Sequence, residues 1–264
     1  MFLFSSLLES YGILFTLIII LTLMVKLGGA PFHFWVPIVA GGIDWKGVIL
    51  FLTLQKILPL WGLATLYSPW IFPIYSGVGL LRGLFGRIGG WNELNLRKLV
   101  RFSSISHSGW IIVGTSMGEW VWRSYWGLYC FVRVSLMLIF SSNRVDHFNE
   151  VSLKVSRLKQ LGIYLLLLSI AGVPPLTGFM PKLMMLDARV YLGTFFVVSV
   201  LTVLSVVIMG FYLRLTLPGL CQISLLKLKK EKLSWSELFL IVGRLGGIFL
   251  IRLDWRSLQI YMLT

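Results

Sequence analysis

The sequence predicts an all-α polytopic membrane protein of about eight spanning helices, with two segments interrupted by glycine and proline. It reads as a single integral membrane domain over residues 1–264. The first observation is composition. The chain is 57% hydrophobic and 13% charged, with a mean hydropathy of +0.87, whereas a soluble domain carries about 25% charged residues. There is too little polar side chain to cover a water-facing surface, so lipid is the solvent for most of the chain. In lipid every backbone N–H and C=O must be paired internally, which leaves helices or a closed barrel. The second observation is that the apolar runs are continuous, as in Gly12 to Val25 and Gly162 to Ile170. Barrel strands would alternate at every second residue. The third is the placement of the basic residues, which follows from the order of the helices.

With about 20 apolar residues needed per span, the predicted helices lie near 4–27, 43–67, 71–90, 101–117, 122–142, 160–187 (broken), 190–215 and 235–253. The first runs on to about Leu27 without a small-residue cleavage site, so it reads as a span and not as a cleaved leader. Bases gather after the third helix (Arg97, Lys98, Arg101), after the fifth (Arg144, Lys154, Arg157, Lys159) and after the seventh (Lys227, Lys229, Lys230, Lys232). In this count all three loops fall on one side, and both termini fall on the other. The net charge of +14 is therefore topogenic and suited to lipid headgroups, and nucleic acid is not an expected partner. Cys130 and Cys221 each stand alone, without a CxxC or Cys/His cluster. No metal or iron–sulfur site and no cofactor is expected, and redox chemistry would belong to a partner.

Ionisable groups inside a membrane cost about 3 kcal/mol or more, so each is a functional candidate. Lys26 ends the run Leu14–Val25 and meets Gly28-Gly29-Ala30-Pro31. Lys56 lies within Val48–Leu66, between Gln55 and Pro59. Lys182 follows Gly172-Val173-Pro174-Pro175-Leu176-Thr177-Gly178-Phe179-Met180-Pro181. Lys26 and Lys182 also fit side chains that snorkel to a headgroup interface. Lys56 has apolar residues for about two turns on either side. Desolvation disfavours its charged form and suits it to proton exchange. The segments Gly28–Pro37 and Gly172–Pro181 lie in different halves, each beside a lysine, the pattern of a transporter built from repeats with broken helices. His107 stands in the hydroxyl-rich run Ser103-Ser104-Ile105-Ser106-His107-Ser108, where serines can hold water beside a group that titrates near neutral pH. A structural, hydrogen-bonded histidine fits the same place. Glu9 lies about 25 Å before Lys26 along a straight helix and cannot pair with it there. Asp187, five residues past Lys182, is the better local counter-charge.

Several of these residues also fall in order into a known pattern. The run Lys26-Leu27-Gly28-Gly29-Ala30-Pro31-Phe32-His33-Phe34-Trp35-Val36-Pro37 resembles the signature of the subunit 2 family of mitochondrial NADH dehydrogenase, the respiratory complex I. So do Gln55-Lys56-Ile57-Leu58-Pro59, Leu96-Arg97-Lys98 leading into Ser103–His107, Gly172–Phe179, and Tyr212-Leu213-Arg214-Leu215. The resemblance runs from Lys26 to about Leu215, and its first and fourth segments are the specific ones.

What it implies is an antiporter-like core subunit of the membrane arm in the mitochondrial inner membrane. Such a subunit moves protons along a lysine and water path driven by quinone reduction elsewhere. By motif, Lys26, Lys56, Lys182 and His107 form that path. The partners would be other membrane-arm and accessory subunits and lipids, with protons as the only small substrate. Enzyme activity would be that of the whole NADH:ubiquinone reductase, with no redox centre in this chain, and the basic loops would face the matrix. The sequence departs from the family in two respects. Family members usually carry about three further helices before the Lys26 helix, one bearing a membrane glutamate, so this chain is expected to be either a shortened subunit or an incomplete one. Arg82 and Arg87 lie in a helix the family keeps apolar. A structural subunit with impaired pumping and a stand-alone cation/proton antiporter are the alternative readings.

Overall fold

The computed structural model describes residues 2–28, 35–39, 41–91, 93–174, 176–192 and 195–225. The predicted helix at 235–253, the lysines at 227–232, the motif residues at 29–34 and Pro175 lie outside the described residues, as does the side chain of Glu9. The described elements are helices: α1 (Phe2–Lys26), α2 (Trp35–Val39), α3 (Trp45–Leu52), α4 (Leu54–Thr65), α5 (Phe72–Gly90), α6 (Leu96–Thr115), α7 (Glu119–Asn143), α8 (Phe148–Lys154), α9 (Arg157–Ala171), α10 (Met180–Leu192) and α11 (Phe195–Leu225). The chain divides into two compact units, Met1–Glu93 with Arg97–Arg123 and Leu94–Leu96 with Ser124–Thr264. Within the described residues Trp45–Thr65, Glu119–Asn143 and Phe195–Cys221 are long and apolar enough to cross a membrane.

In the first unit, α1 stops where predicted. Gly28 takes a left-handed φ of +67°, and a Cβ there would run into the Val36 side chain. Only glycine fits both demands. The predicted helix at 43–67 is two helices that meet at Thr53. The Thr53 hydroxyl donates to the Ile49 carbonyl at 2.6 Å, and its backbone, at φ −110° and ψ −77°, is displaced from ideal helical values. A threonine bonded back four residues bends a helix. Pro59, which has no N–H for the residue four before it, lies inside α4.

A 3₁₀ turn at Pro69–Ile71 leads into α5. This helix packs on α6 through glycines. A Cβ on Gly86 would stand 2.6 Å from Ser106 N, and one on Gly109 would stand 2.6 Å from Gly79 O. Small residues let two helix backbones approach this closely inside a membrane. Helix α6 begins five residues before the predicted 101, because Leu96, Leu99 and Val100 continue its buried face. Arg101 is therefore not a loop base. It is buried within α6. Every residue from Ser103 to Thr115 is buried, so α6 is a central helix of its unit.

In the second unit α9 lies along α11, where a Cβ on Gly219 would overlap the Tyr164 ring. The short helix α8, absent from the sequence expectation, is closed by Gln160. Its Nε2 donates to the carbonyls of Val151, Ser152 and Val155 at 3.2, 3.1 and 2.7 Å. The predicted break in the helix at 160–187 is present. Gly172 takes φ +80°, and its N–H and that of Val173 both bond back to Leu168 O. That is a left-handed helix end, and Pro174 prevents the helix from resuming. A 3₁₀ turn at Thr177–Phe179 then opens α10. The last described helix runs ten residues past the predicted 215 and absorbs Pro218.

Candidate functional site

Helix α4 points Lys56 inward, 8% exposed. Its Nζ donates to Ser104 Oγ of α6, forty-eight residues on. Ser104 and His107 are three apart and share a face of that helix, and both are buried. The structure thus brings the lysine of one span to the hydroxyl-rich stretch of another, within the first unit. The expectation drawn from the sequence put serines beside His107. The contact of Ser104 with Lys56 has no sequence signal, since it depends on how α4 and α6 pack.

Lys26 stands at the C-terminal end of α1 and is exposed, so the described residues do not supply the burial expected of it. The three carbonyls before it are engaged. Leu23 O accepts from Leu27 N at 3.0 Å and Val25 O from Gly28 N at 2.9 Å. Trp35 Nε1 adds a second donor to Val25 O at 3.3 Å, and Met24 O accepts from Arg82 Nη2 at 3.2 Å.

In the second unit Lys182 is 6% exposed, and its Nζ donates to the carbonyl of Ala171, the last residue of α9, at 2.7 Å. Gly172 makes room for it, since a Cβ there would overlap the lysine's Nζ. Ser169 Oγ lies 3.0 Å from Thr177 Oγ1 and accepts the Gly178 N–H at 3.0 Å. Side chains thus bridge the two halves of the broken helix. Asp187, the expected counter-charge, is exposed on α10.

Other buried cations belong with these. Arg82 is fully buried in α5, and Arg87 is buried one turn on. Arg133, which the sequence reading passed over, lies 1% exposed within α7. It donates to the Tyr129 hydroxyl and sits 4.9 Å from the centroid of that ring. The rule used for the lysines, that a charge inside an apolar span is a candidate, would have found it.

Helices α3, α4, α5, α6, α9 and α11 contain no acidic residue. Carboxylates meet bases at helix ends instead: Glu93 with Lys98 at 3.5 Å, Glu119 with Arg123 at 2.5 Å and Glu150 with Lys154 at 3.0 Å. Ser104 Oγ, Ala171 O and Met24 O, which accept from Lys56, Lys182 and Arg82, are neutral oxygens. Among the described residues no three His, Cys, Asp or Glu side chains converge as a metal site would require.

Comparison with known proteins gives one consistent likeness. The profile of the family described as NADH:quinone oxidoreductase/Mrp antiporter, transmembrane, matches residues 2–208. NADH-ubiquinone oxidoreductase chain 2 of Anopheles gambiae is 33% identical over 237 residues, covering 89% of this chain and 67% of that one. The chain of that name in Aedes aegypti is 35% identical over 215 residues (80% and 60%), and that of Loxodonta africana 33% over 202 residues (74% and 57%). The chain thus spans between 57% and 67% of the length of these relatives. Among solved structures, respiratory complex I from Thermus thermophilus aligns with a TM-score of 0.68 at 21% identity, over 88% of this chain and 56% of that one. The Mrp complex from Dietzia sp. DQ12-45-1b aligns at 0.66 and 19% identity, over 76% and 40%. At these identities the structural likeness speaks for the fold alone.

Proposed function

From the premise that the chain belongs to the NADH:quinone oxidoreductase/Mrp antiporter membrane family, we propose that it is a core membrane-arm subunit of a proton-pumping NADH:ubiquinone oxidoreductase. In this reading the chain sits in the mitochondrial inner membrane among other membrane-arm subunits. It carries protons while electron transfer and its redox centres reside in other chains. The observation that carries the reading is Lys56. Its ammonium is buried within a span and held by Ser104 on the buried helix that also bears His107. A lysine buried within a span is placed to release and regain a proton when the local field changes. Lys56 and His107 are the relay pair of the first unit, and Lys182 is the carrier of the second. Lys26 joins them as the group at the first helix break.

The test is Lys56→Met in the assembled complex, measuring protons translocated per NADH oxidised. The yield falls while assembly and electron transfer to quinone persist. An unchanged yield would remove Lys56 from the path and favour a structural subunit, a reading to which the exposure of Lys26 also lends weight.

A further inference from the structure

Two helices of this chain end beside a lysine of the candidate path, and at both ends a buried cation donates to a carbonyl of the last turn. In the second unit that cation is Lys182 itself, on Ala171 O. In the first unit it is Arg82, and the bonding shows why one is needed. Inside an α-helix Met24 O would accept from the N–H four residues on, which is that of Gly28. The left-handed turn at Gly28 sends its N–H to Val25 O instead, and Met24 O loses its donor. Arg82 Nη2 reaches across from α5 and supplies it at 3.2 Å. The guanidinium is fully buried, and its Nε and Nη1 have no hydrogen-bond partner among the described residues. A charge kept in such a place at that cost is one whose position matters. It also suits the electronegative C-terminal end of α1.

We propose that Arg82 is a positioning residue for proton transfer at Lys26. It clamps the carbonyl two residues before that lysine and sets a permanent positive charge beside the helix break. Guanidinium does not give up its proton in proteins, so Arg82 cannot carry one. Lys26, on the tethered end, is the group that can. Arg82 therefore does for the first break what Lys182 does for the second, with anchor and carrier divided between two residues. This inference rests on the pumping reading above.

The experiment compares Arg82→Lys, Arg82→Gln and Arg82→Met with Lys26→Met in the assembled complex. It scores proton yield per NADH oxidised, normalised to assembled complex. Arg82→Met drops the yield to that of Lys26→Met. Arg82→Lys, which keeps the charge and a donor for Met24 O, restores most of it, and Arg82→Gln falls between. A purely structural arginine would lower the amount of complex and leave the normalised yield alone, and that result overturns the proposal. Should Arg82→Met fail to assemble, the contrast of Lys with Gln decides, and equal yields in those two overturn it.

A second readout does not depend on pumping. In Lys26→Cys, the rate of maleimide labelling above the background of Cys130 and Cys221 rises severalfold on adding Arg82→Gln and stays level on adding Arg82→Lys. Unchanged labelling with Gln also refutes the clamp. If Lys26→Met itself leaves the yield intact while labelling responds to Arg82→Gln, the pumping role of Lys26 fails and the clamp stands.

Discussion

Replacing Gly86 by alanine puts one methyl group into the seam between α5 and α6, and its cost can be worked from the backbone. The new Cβ would stand 2.6 Å from Ser106 N, 2.8 Å from Phe102 O and 2.9 Å from Ser106 Cα. Comfortable separations for such atoms are about 3.5 Å, so the helices must part by roughly 0.9 Å. All three obstacles are backbone or Cα atoms, which cannot rotate aside as a side chain would. Overpacking of this kind costs about 1–3 kcal/mol. Alanine returns about 0.8–1.0 kcal/mol through its better helix propensity.

Gly77→Ala is the matched control. It lies in the same helix, and nothing stands within 4 Å of its Cβ, so it keeps the propensity gain without the clash. The difference between the two variants isolates the seam, about 1–3 kcal/mol in favour of Gly77→Ala. Thermal inactivation of the detergent-solubilised complex measures it. Because α6 carries Ser104 and His107, the proton yield of Gly86→Ala also falls at temperatures where the complex is intact. Equal stability of the two variants would refute the close approach of α5 and α6.

Two further perturbations test other parts of the structure. Gly172→Ala forces a left-handed backbone on an L side chain, at about 1–2 kcal/mol, and its Cβ displaces the Lys182 ammonium from Ala171 O. The variant therefore loses stability and proton yield together, and adding Lys182→Met lowers the yield no further; a fully additive loss would show that Gly172 acts elsewhere. At the exposed helix α8, the Glu150 carboxyl lies below its ordinary range. The side-chain hydrogen bond from Lys154 is the largest cause, followed by the Asp146 N–H. A carboxyl depressed in the folded state stabilises it fully above the ordinary carboxylate range, and that stabilisation disappears as pH falls through about 4. The protection of the amides across residues 146–154, corrected for the intrinsic exchange rate at each pH, therefore falls on acidification, and Glu150→Gln removes this component of the pH dependence. The same acid response in both proteins would exclude Glu150 as its origin.

The relation between sequence and structure is clearest at the two lysines best enclosed by the described residues. That Lys56 sits inside a span follows from the apolar residues around it, since hydropathy is a property of neighbours in sequence. The broken helix before Lys182 is equally local. Gly172 and Pro174 forbid a continuous backbone ladder whatever packs against them, and the chain breaks there as expected. Thr53 shows the limit of that reasoning. Nothing in an apolar window marks a hydroxyl that turns back on its own helix, so the span at Trp45–Thr65 was expected but its division at Thr53 was not. Helix α8 was missed because seven residues are too few for a periodic pattern. Its closure depends on Gln160, which lies in the next helix.

The sequence by itself therefore determined the helical membrane class, the depth of Lys56 and the second helix break, all of which depend on residues close together in the chain. The tertiary structure alone decided that Lys56 meets Ser104, that Arg82 holds Met24 from fifty-eight residues away, and that Lys26 remains exposed. Those outcomes depend on which helix faces meet. That choice is set by glycine contacts such as Gly86 on Ser106, which remove the bulk separating two backbones and have no signature in hydropathy.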